Sequence, residues 1–143
     1  DDDIDIAIKR KDYDLFMEQA QKYLPEYYFV QNTSTDPAYP LVFGKVRDSR
    51  TTYVVEGSEH LNINHGIYID IFPIDNCYQA GLKAKIFNLK YKILNMRIAS
   101  VYNLTESTLK KLFRTATKII FPSYNGAVKI REKMLKNCRN FRK

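Results

Sequence analysis

The sequence predicts an α+β fold, on three observations. Apolar residues alternate with a period of two in short runs before residue 76, and recur at helical spacing from Gly81 onward. Turn-forming residues separate the strand-like runs. Charge divides the same way: residues 1–80 carry 7 Lys/Arg and 14 Asp/Glu, a net −7, while residues 81–143 carry 16 and 2, a net +14. A chain of 143 residues is long enough for a buried core, and 45% hydrophobic residues exclude disorder throughout.

Taken in order, Ile4, Ile6 and Ile8 alternate with Asp3, Asp5 and Ala7, which predicts a strand with its isoleucines on the core side. Residues 11–24 switch to helical spacing. Tyr13, Phe16, Ala20, Tyr23 and Leu24 share a side, and Pro25 ends the helix. "YYFVQN" and "LVFGKVRD" read as strands around the loop "TSTDPAYP", and "GIYIDIFPI" reads as another. After Gly81 one helix carries two apolar seams, Leu82 to Met96 and Phe87 to Val101, with Lys83, Lys90 and Arg97 on a basic outer face. Thr105 or Ser107 caps the next helix, which points Leu109, Leu112, Phe113, Ala116 and Ile119 inward and closes at Pro122. A last helix starts near Asn125, with Val128, Met134, Leu135 and Cys138 as its apolar positions.

Several function classes drop out early. No apolar run approaches the roughly 20 residues of a membrane span, and no signal peptide is visible. The chain begins at Asp1 rather than Met, which leaves room for an upstream segment. Cys77 and Cys138 are far apart and in no C-x-x-C pattern, so they read as two thiols of a reducing compartment. The strongly basic second half fits an anionic partner: nucleic acid, an anionic membrane surface or a phosphate-bearing substrate.

The acids of "DDDIDI" are the chemical signal. On a strand Asp3 and Asp5 share a face, about 7 Å apart at Cα. Carboxylates so spaced converge on one divalent cation or a close pair, and hard oxygen ligands suit Mg²⁺ or Mn²⁺. In "IYIDIFPID", Asp70 lies between Ile69 and Ile71, where a carboxylate is costly unless paired or bound to metal. Facing Asp3 and Asp5, it completes a three-carboxylate cradle. The competing reading is a solvated acidic end, with Asp70 at the surface or paired with a lysine. A calcium EF-hand loop fits poorly, because Ile6 stands where the turn needs Gly and Asp12 where a Glu is expected.

"DDDIDIAIKRKDYDLF" and "NHGIYIDIFPID" together resemble the LicD family of phosphocholine transferases, relatives of the fukutin proteins within the nucleotidyltransferase-fold superfamily. The resemblance covers roughly residues 1–76. It implies a nucleotidyltransferase-like mixed sheet with flanking helices: a partial catalytic core over 1–80 and a helical basic region, 81–143, packed on it. It also implies transfer of phosphocholine from CDP-choline to a sugar hydroxyl of a cell-surface glycan precursor, such as lipopolysaccharide, teichoic acid or capsule. Asp3, Asp5 and Asp70 match the acids that hold Mg²⁺ or Mn²⁺ and act in catalysis. Arg10, Asp12 and Tyr13 match the family's "R-x-D-Y" element; Lys45, Arg47, Asp48 and Thr51 match its "K-x-R-D…T" element. Of these, Arg10, Lys45, Arg47 and Thr51 are the expected substrate-binding residues.

The choline would need an aromatic or acidic cage, with Tyr27, Tyr28, Tyr39, Tyr53 and Tyr68 on offer. The expected setting is cytoplasmic, peripheral at the inner membrane face, where the basic helices approach a lipid-linked acceptor. The family carries a Gly-rich turn and a helix upstream of the acidic strand. This chain starts inside that strand, so the expectation is a fragment whose activity depends on residues outside it. Two rival classes stay open. One is a nucleotidyltransferase acting on RNA or a small molecule, although the basic helices carry no recognised RNA-binding motif, which disfavours nucleic acid as a partner. The other is a non-enzymatic basic domain that binds a membrane or partner.

Overall fold

A computed structural model of the chain describes residues 4–76, 78, 80–102 and 108–139. The chain is α+β and divides into two compact units, Asp1–Ile74 and Asp75–Lys143. The expected boundary lay six residues later. Asp1, Asp2, Asp3, Cys77, Thr105 and Ser107 lie outside the described residues, as does the side chain of Cys138.

In the first unit the elements run β1 (Asp5–Lys9), α1 (Arg10–Gln19), a 3₁₀ turn (Ala20–Lys22), β2 (Tyr28–Gln31), β3 (Gly44–Asp48) and β4 (Ile67–Ile74). They form a mixed sheet in the order β1-β4-β3-β2, with β1 and β4 parallel and the other pairs antiparallel. α1 follows β1 directly, places Asp12 in its first turn where the helix dipole favours an acid, and winds down before Pro25. Gly44 admits α1 onto the sheet: a Cβ there would overlap Sδ and Cε of Met17. That face of the sheet buries Val30 and Ile71. Pro73 is tolerated in β4 because β3 stops pairing at Ile71, leaving only β1 alongside.

Two expectations for this unit are corrected. Ile4 and Ile6 do not enter the core; they are 63% and 41% exposed. β1 is an edge strand, and Met17 of α1 packs over Gly44 in β3, two strands away. Tyr23, assigned to the inner side of the first helix, is also exposed. The helix has already tightened into its 3₁₀ turn at Ala20–Lys22, which changes the angle per residue.

The second unit holds α2 (Gly81–Ala99), α3 (Thr108–Ile120) and α4 (Tyr124–Arg139). One seam of α2 packs as expected, with Phe87, Leu94 and Ile98 buried; Leu82, Ile86 and Leu89 of the other seam are exposed. Phe87 packs with Leu135 of α4, with Tyr78, Tyr91 and Met134 around them. Arg97, expected on the basic outer face, is buried instead. It donates to the carbonyls of Phe121 (2.6 Å) and Pro122 (3.0 Å), which follow α3 and have no helical partner there. Arg131 is buried likewise, on Asn95 Oδ1 and the Tyr91 hydroxyl.

α3 is the largest departure. Leu112, Phe113, Ala116 and Ile119, expected inward, are exposed. The buried side carries Thr117 and half-buried Arg114, whose Nη2 donates to the carbonyls of Ala99 (2.7 Å) and Tyr102 (2.5 Å) at the end of α2. Cation-to-carbonyl hydrogen bonds at a helix C-terminus have taken the inward position from the apolar stripe.

Candidate functional site

Strand register assembles the site. Asp5 on β1 is the direct partner of Asp70 on β4, Asp70 the partner of Lys45 on β3, and Lys45 the partner of Gln31 on β2. Directly paired residues point to the same face. One row across the sheet therefore reads Asp5, Asp70, Lys45, Gln31. Two residues further along the strands, Tyr68, Arg47 and Phe29 form a second row on that face. This is the face opposite the one Gly44 opens to α1.

The first row carries opposed charges at close range. Lys45 Nζ lies 2.5 Å from Asp70 Oδ1 and 3.3 Å from the centre of the Tyr68 ring. The Tyr68 ring thus holds the ammonium against the carboxylate, a cation–π contact in a largely dry setting. Loss of hydration pushes the Asp70 carboxyl above its ordinary range; Lys45 opposes the shift, and the negative charge of Asp5 adds to it. Asp5 itself is exposed at the sheet edge.

Behind this row the face is sealed by a polar network. Gln31 Nε2 donates to Asp36 Oδ2 (2.8 Å), and Gln31 Oε1 accepts from Arg47 Nε (2.6 Å). Arg47 Nη1 donates to the Gly66 carbonyl (2.6 Å), and the Asn64 N–H donates to Asp36 Oδ2 (3.0 Å). The Gln31 amide thus links a buried carboxylate to a buried guanidinium and has its orientation fixed by both. Gln31, Arg47 and Asp36 are 0%, 1% and 8% exposed.

The expected site residues fall into three groups. Asp5, Asp70 and Lys45 are brought together; Asp3 lies outside the described residues. Arg47 shares their face but is built into the network, with its guanidinium on Gln31 and Gly66. Arg10 and Thr51 stand apart from the row. Arg10 opens α1, pairs with Asp14 Oδ1 at 3.3 Å and lies 5.0 Å from the Tyr13 ring. Thr51 Oγ1 donates to the Asp48 carbonyl (2.7 Å) and accepts from the Ile67 N–H (2.8 Å), tying the end of β3 to the start of β4.

The lysine partner that the competing reading gave Asp70 is present and is Lys45, which the sequence did not single out for that role; Gln31 and Asp36 were missed altogether. The signal for Lys45 and Tyr68 was present: each lies two residues from another polar residue on a strand, Arg47 and Asp70, and so shares its face. No motif marks Gln31 or Asp36: they bond each other across five residues, and their other partners, Arg47 and Asn64, are distant in sequence.

Two carboxylates on one row offer hard oxygen donors. Mg²⁺ takes one or two carboxylates and completes its octahedron with water and substrate phosphate, so this donor set fits it. No cluster of three His, Cys, Asp or Glu side chains able to hold a metal occurs among the described residues, so the expected third ligand rests on Asp3. No family model matches the chain, and neither a curated protein nor a solved structure matches it.

Proposed function

We propose that the row Asp5–Asp70–Lys45 is the metal-holding part of a phosphate-transfer site. The activity is the one the LicD resemblance implies: transfer of phosphocholine from CDP-choline to a sugar hydroxyl of a cell-surface glycan precursor, free or lipid-linked. The observation that carries it is the direct pairing of Asp5 with Asp70 on parallel strands, on one face, with a cation already against one of them. Two like charges on neighbouring strands are unfavourable without a cation.

Asp5 and Asp70, joined by Asp3, would hold Mg²⁺ or Mn²⁺. When bound, the ion neutralises charge on the diphosphate as the bond to CMP breaks. The remaining work belongs to the chain. Lys45 balances the Asp70 carboxylate; with that carboxylate shared by a divalent ion, the Lys45 ammonium would be able to meet the donor phosphate. Asp70, on the same face as Asp5, is the carboxylate placed to accept the proton of the attacking hydroxyl. Arg47 keeps Gln31 and β3 in place. Among the five candidate tyrosines Tyr39 is buried, and Tyr27 and Tyr28 lie against Arg50. Tyr53, 6.0 Å from Tyr68 and 52% exposed, is left as the aromatic surface for a choline.

The test is CMP release from CDP-choline by the protein with Mg²⁺ or Mn²⁺, wild type beside Asp5→Asn, across a panel of nucleotide donors. Metal-dependent release that Asp5→Asn abolishes supports the reading, and the preferred donor names the group transferred. Absence of release from every donor, together with absence of divalent-cation binding, overturns it.

A further inference from the structure

We propose that α3 is an interfacial anchor that lies in the surface of an anionic lipid bilayer. This inference stands on residues outside the Asp5–Asp70 row and does not rest on the transfer reading.

Leu112, Phe113, Ile119 and Ile120 are 66%, 62%, 78% and 62% exposed. With Ala116 they fall within about a third of the helix circumference at 3.6 residues per turn. The orientation is held by polar contacts on the other side, where Thr117 is buried and Arg114 is fastened to the carbonyls of Ala99 and Tyr102. Rolling the stripe inward would break those bonds, so the apolar face is presented outward by construction of the helix pair.

Charge selects the occupant. Thr108–Ile120 contains Lys110, Lys111, Arg114 and Lys118 and no acid, in a region, 81–143, of net +14. A second copy docking through the same stripe would bring like charges together. An anionic leaflet complements them, at about 1 kcal/mol per basic residue near its surface. Thirteen residues span about 20 Å, short of the roughly 30 Å hydrocarbon core, and no described helix is long and apolar enough to cross a membrane. A short, sharply two-sided basic helix lies in the interface plane with its apolar face in the acyl boundary.

The chain has no tryptophan, so Phe113→Trp gives a single reporter on the stripe. The probes are phosphatidylcholine vesicles with and without phosphatidylglycerol, and the same vesicles carrying brominated acyl chains. Expected are a blue shift and bromine quenching with the anionic vesicles only. Ile119→Glu in that background weakens binding at least about tenfold, the loss of one buried aliphatic side chain. Lys111→Gln with Lys118→Gln weakens it about thirtyfold, the two basic residues' ~2 kcal/mol. Each substituted side chain is exposed, and an unchanged melting temperature verifies folding. The proposal is overturned if the anionic vesicles leave the spectrum unchanged. It is equally overturned if Ile119→Glu binds as tightly as its parent, which means adsorption by charge alone. A blue shift that grows with protein concentration without lipid assigns the face to a second copy and overturns it too.

Discussion

Lys45 Nζ sits 2.5 Å from Asp70 Oδ1, and the two side chains keep only 4% and 13% of their surfaces in water. A pair this dry owes its net effect to a balance of large opposed quantities, lost hydration against direct attraction. Asp5, the other strand partner of Asp70, tips that balance by adding a second negative charge. The arrangement makes Asp70 a carboxylate that depends on a neighbouring cation.

Breaking the pair from the lysine side tests that dependence. Lys45→Met should lower stability by about 3–5 kcal/mol, the usual cost of stranding a buried charge, as read from urea unfolding at neutral pH. Lys45→Met with Asp70→Leu should recover most of it. The sign with pH is fixed by Asp70, whose carboxyl is raised above 3.8 in the fold. Its contribution to stability is fully present below pH 3.8 and is lost as pH rises through the folded value. Without Lys45 the carboxyl rises further, so the deficit of Lys45→Met should shrink on acidification. A deficit independent of pH would mean that Lys45 acts through packing on Tyr68 instead.

Asp5→Asn should separate metal binding from folding. Asp5 is exposed on an edge strand, so the change should alter stability by no more than about 0.5 kcal/mol. It should also relieve Asp70 and lower its carboxyl toward the ordinary range. Mn²⁺ affinity, followed by calorimetry or by the ion's paramagnetic signal, should fall. Unchanged affinity would remove Asp5 from the ligand set.

Much of this was legible in the residues. The period-two runs placed β1 to β4 within a few positions, and the alternation of Asp5 and Asp70 with isoleucine correctly marked two acids on strands. What escaped was direction. The isoleucines of β1 follow the same pattern as a core strand, yet β1 runs along an edge, and strand order is not encoded in any local period. The α3 stripe has inward spacing, yet Arg114 found two carbonyls at the end of α2 and turned the helix over. Arg97 follows the same logic, since a guanidinium with several donors can satisfy backbone carbonyls that an apolar side chain cannot, and Arg131 is buried on side-chain acceptors instead, Asn95 Oδ1 and the Tyr91 hydroxyl. The burial of Lys45 and Arg47, both expected as phosphate clamps, could not be read from the sequence, which shows charge and conceals burial.

Gly66→Ala should be among the costliest single-methyl changes in the first unit. A Cβ at residue 66 would overlap the carbonyl of Asp48, a backbone atom on the neighbouring strand that cannot swing aside. The same residue accepts Arg47 Nη1 through its own carbonyl, so displacement would also pull on Gln31. Overpacking of this kind costs about 1–3 kcal/mol. Thermal unfolding should show the loss, and Gly126→Ala serves as the comparison, because a Cβ there meets only Ser123 side-chain atoms at 3.3 and 3.5 Å. Equal melting temperatures for the two variants would show that β3 and β4 can part where Asp48 meets Gly66.

The turn after β3 should govern the acid limb of stability. Arg50 grips Asp48 with two parallel contacts, Nε to Oδ1 at 2.9 Å and Nη2 to Oδ2 at 2.7 Å, and its backbone N–H donates to Oδ1 at 3.0 Å. Its guanidinium lies 3.8 Å from the centre of the Tyr27 ring. The hydrogen bond from the Arg50 side chain holds the Asp48 carboxyl below 3.8. A depressed acid contributes stability that is present above pH 3.8 and lost as pH falls through the folded value. Arg50→Lys keeps the charge but loses the planar fork that fits both oxygens, so it should remove part of that contribution. Urea midpoints measured against pH should therefore converge for wild type and Arg50→Lys at strongly acidic pH and separate above 3.8, with wild type the more stable. Arg50 is 57% exposed, so added salt should narrow the gap. Curves that stay parallel through pH 3.8 would assign the role of Arg50 to its stacking on Tyr27, leaving Asp48 to the backbone bonds of the turn.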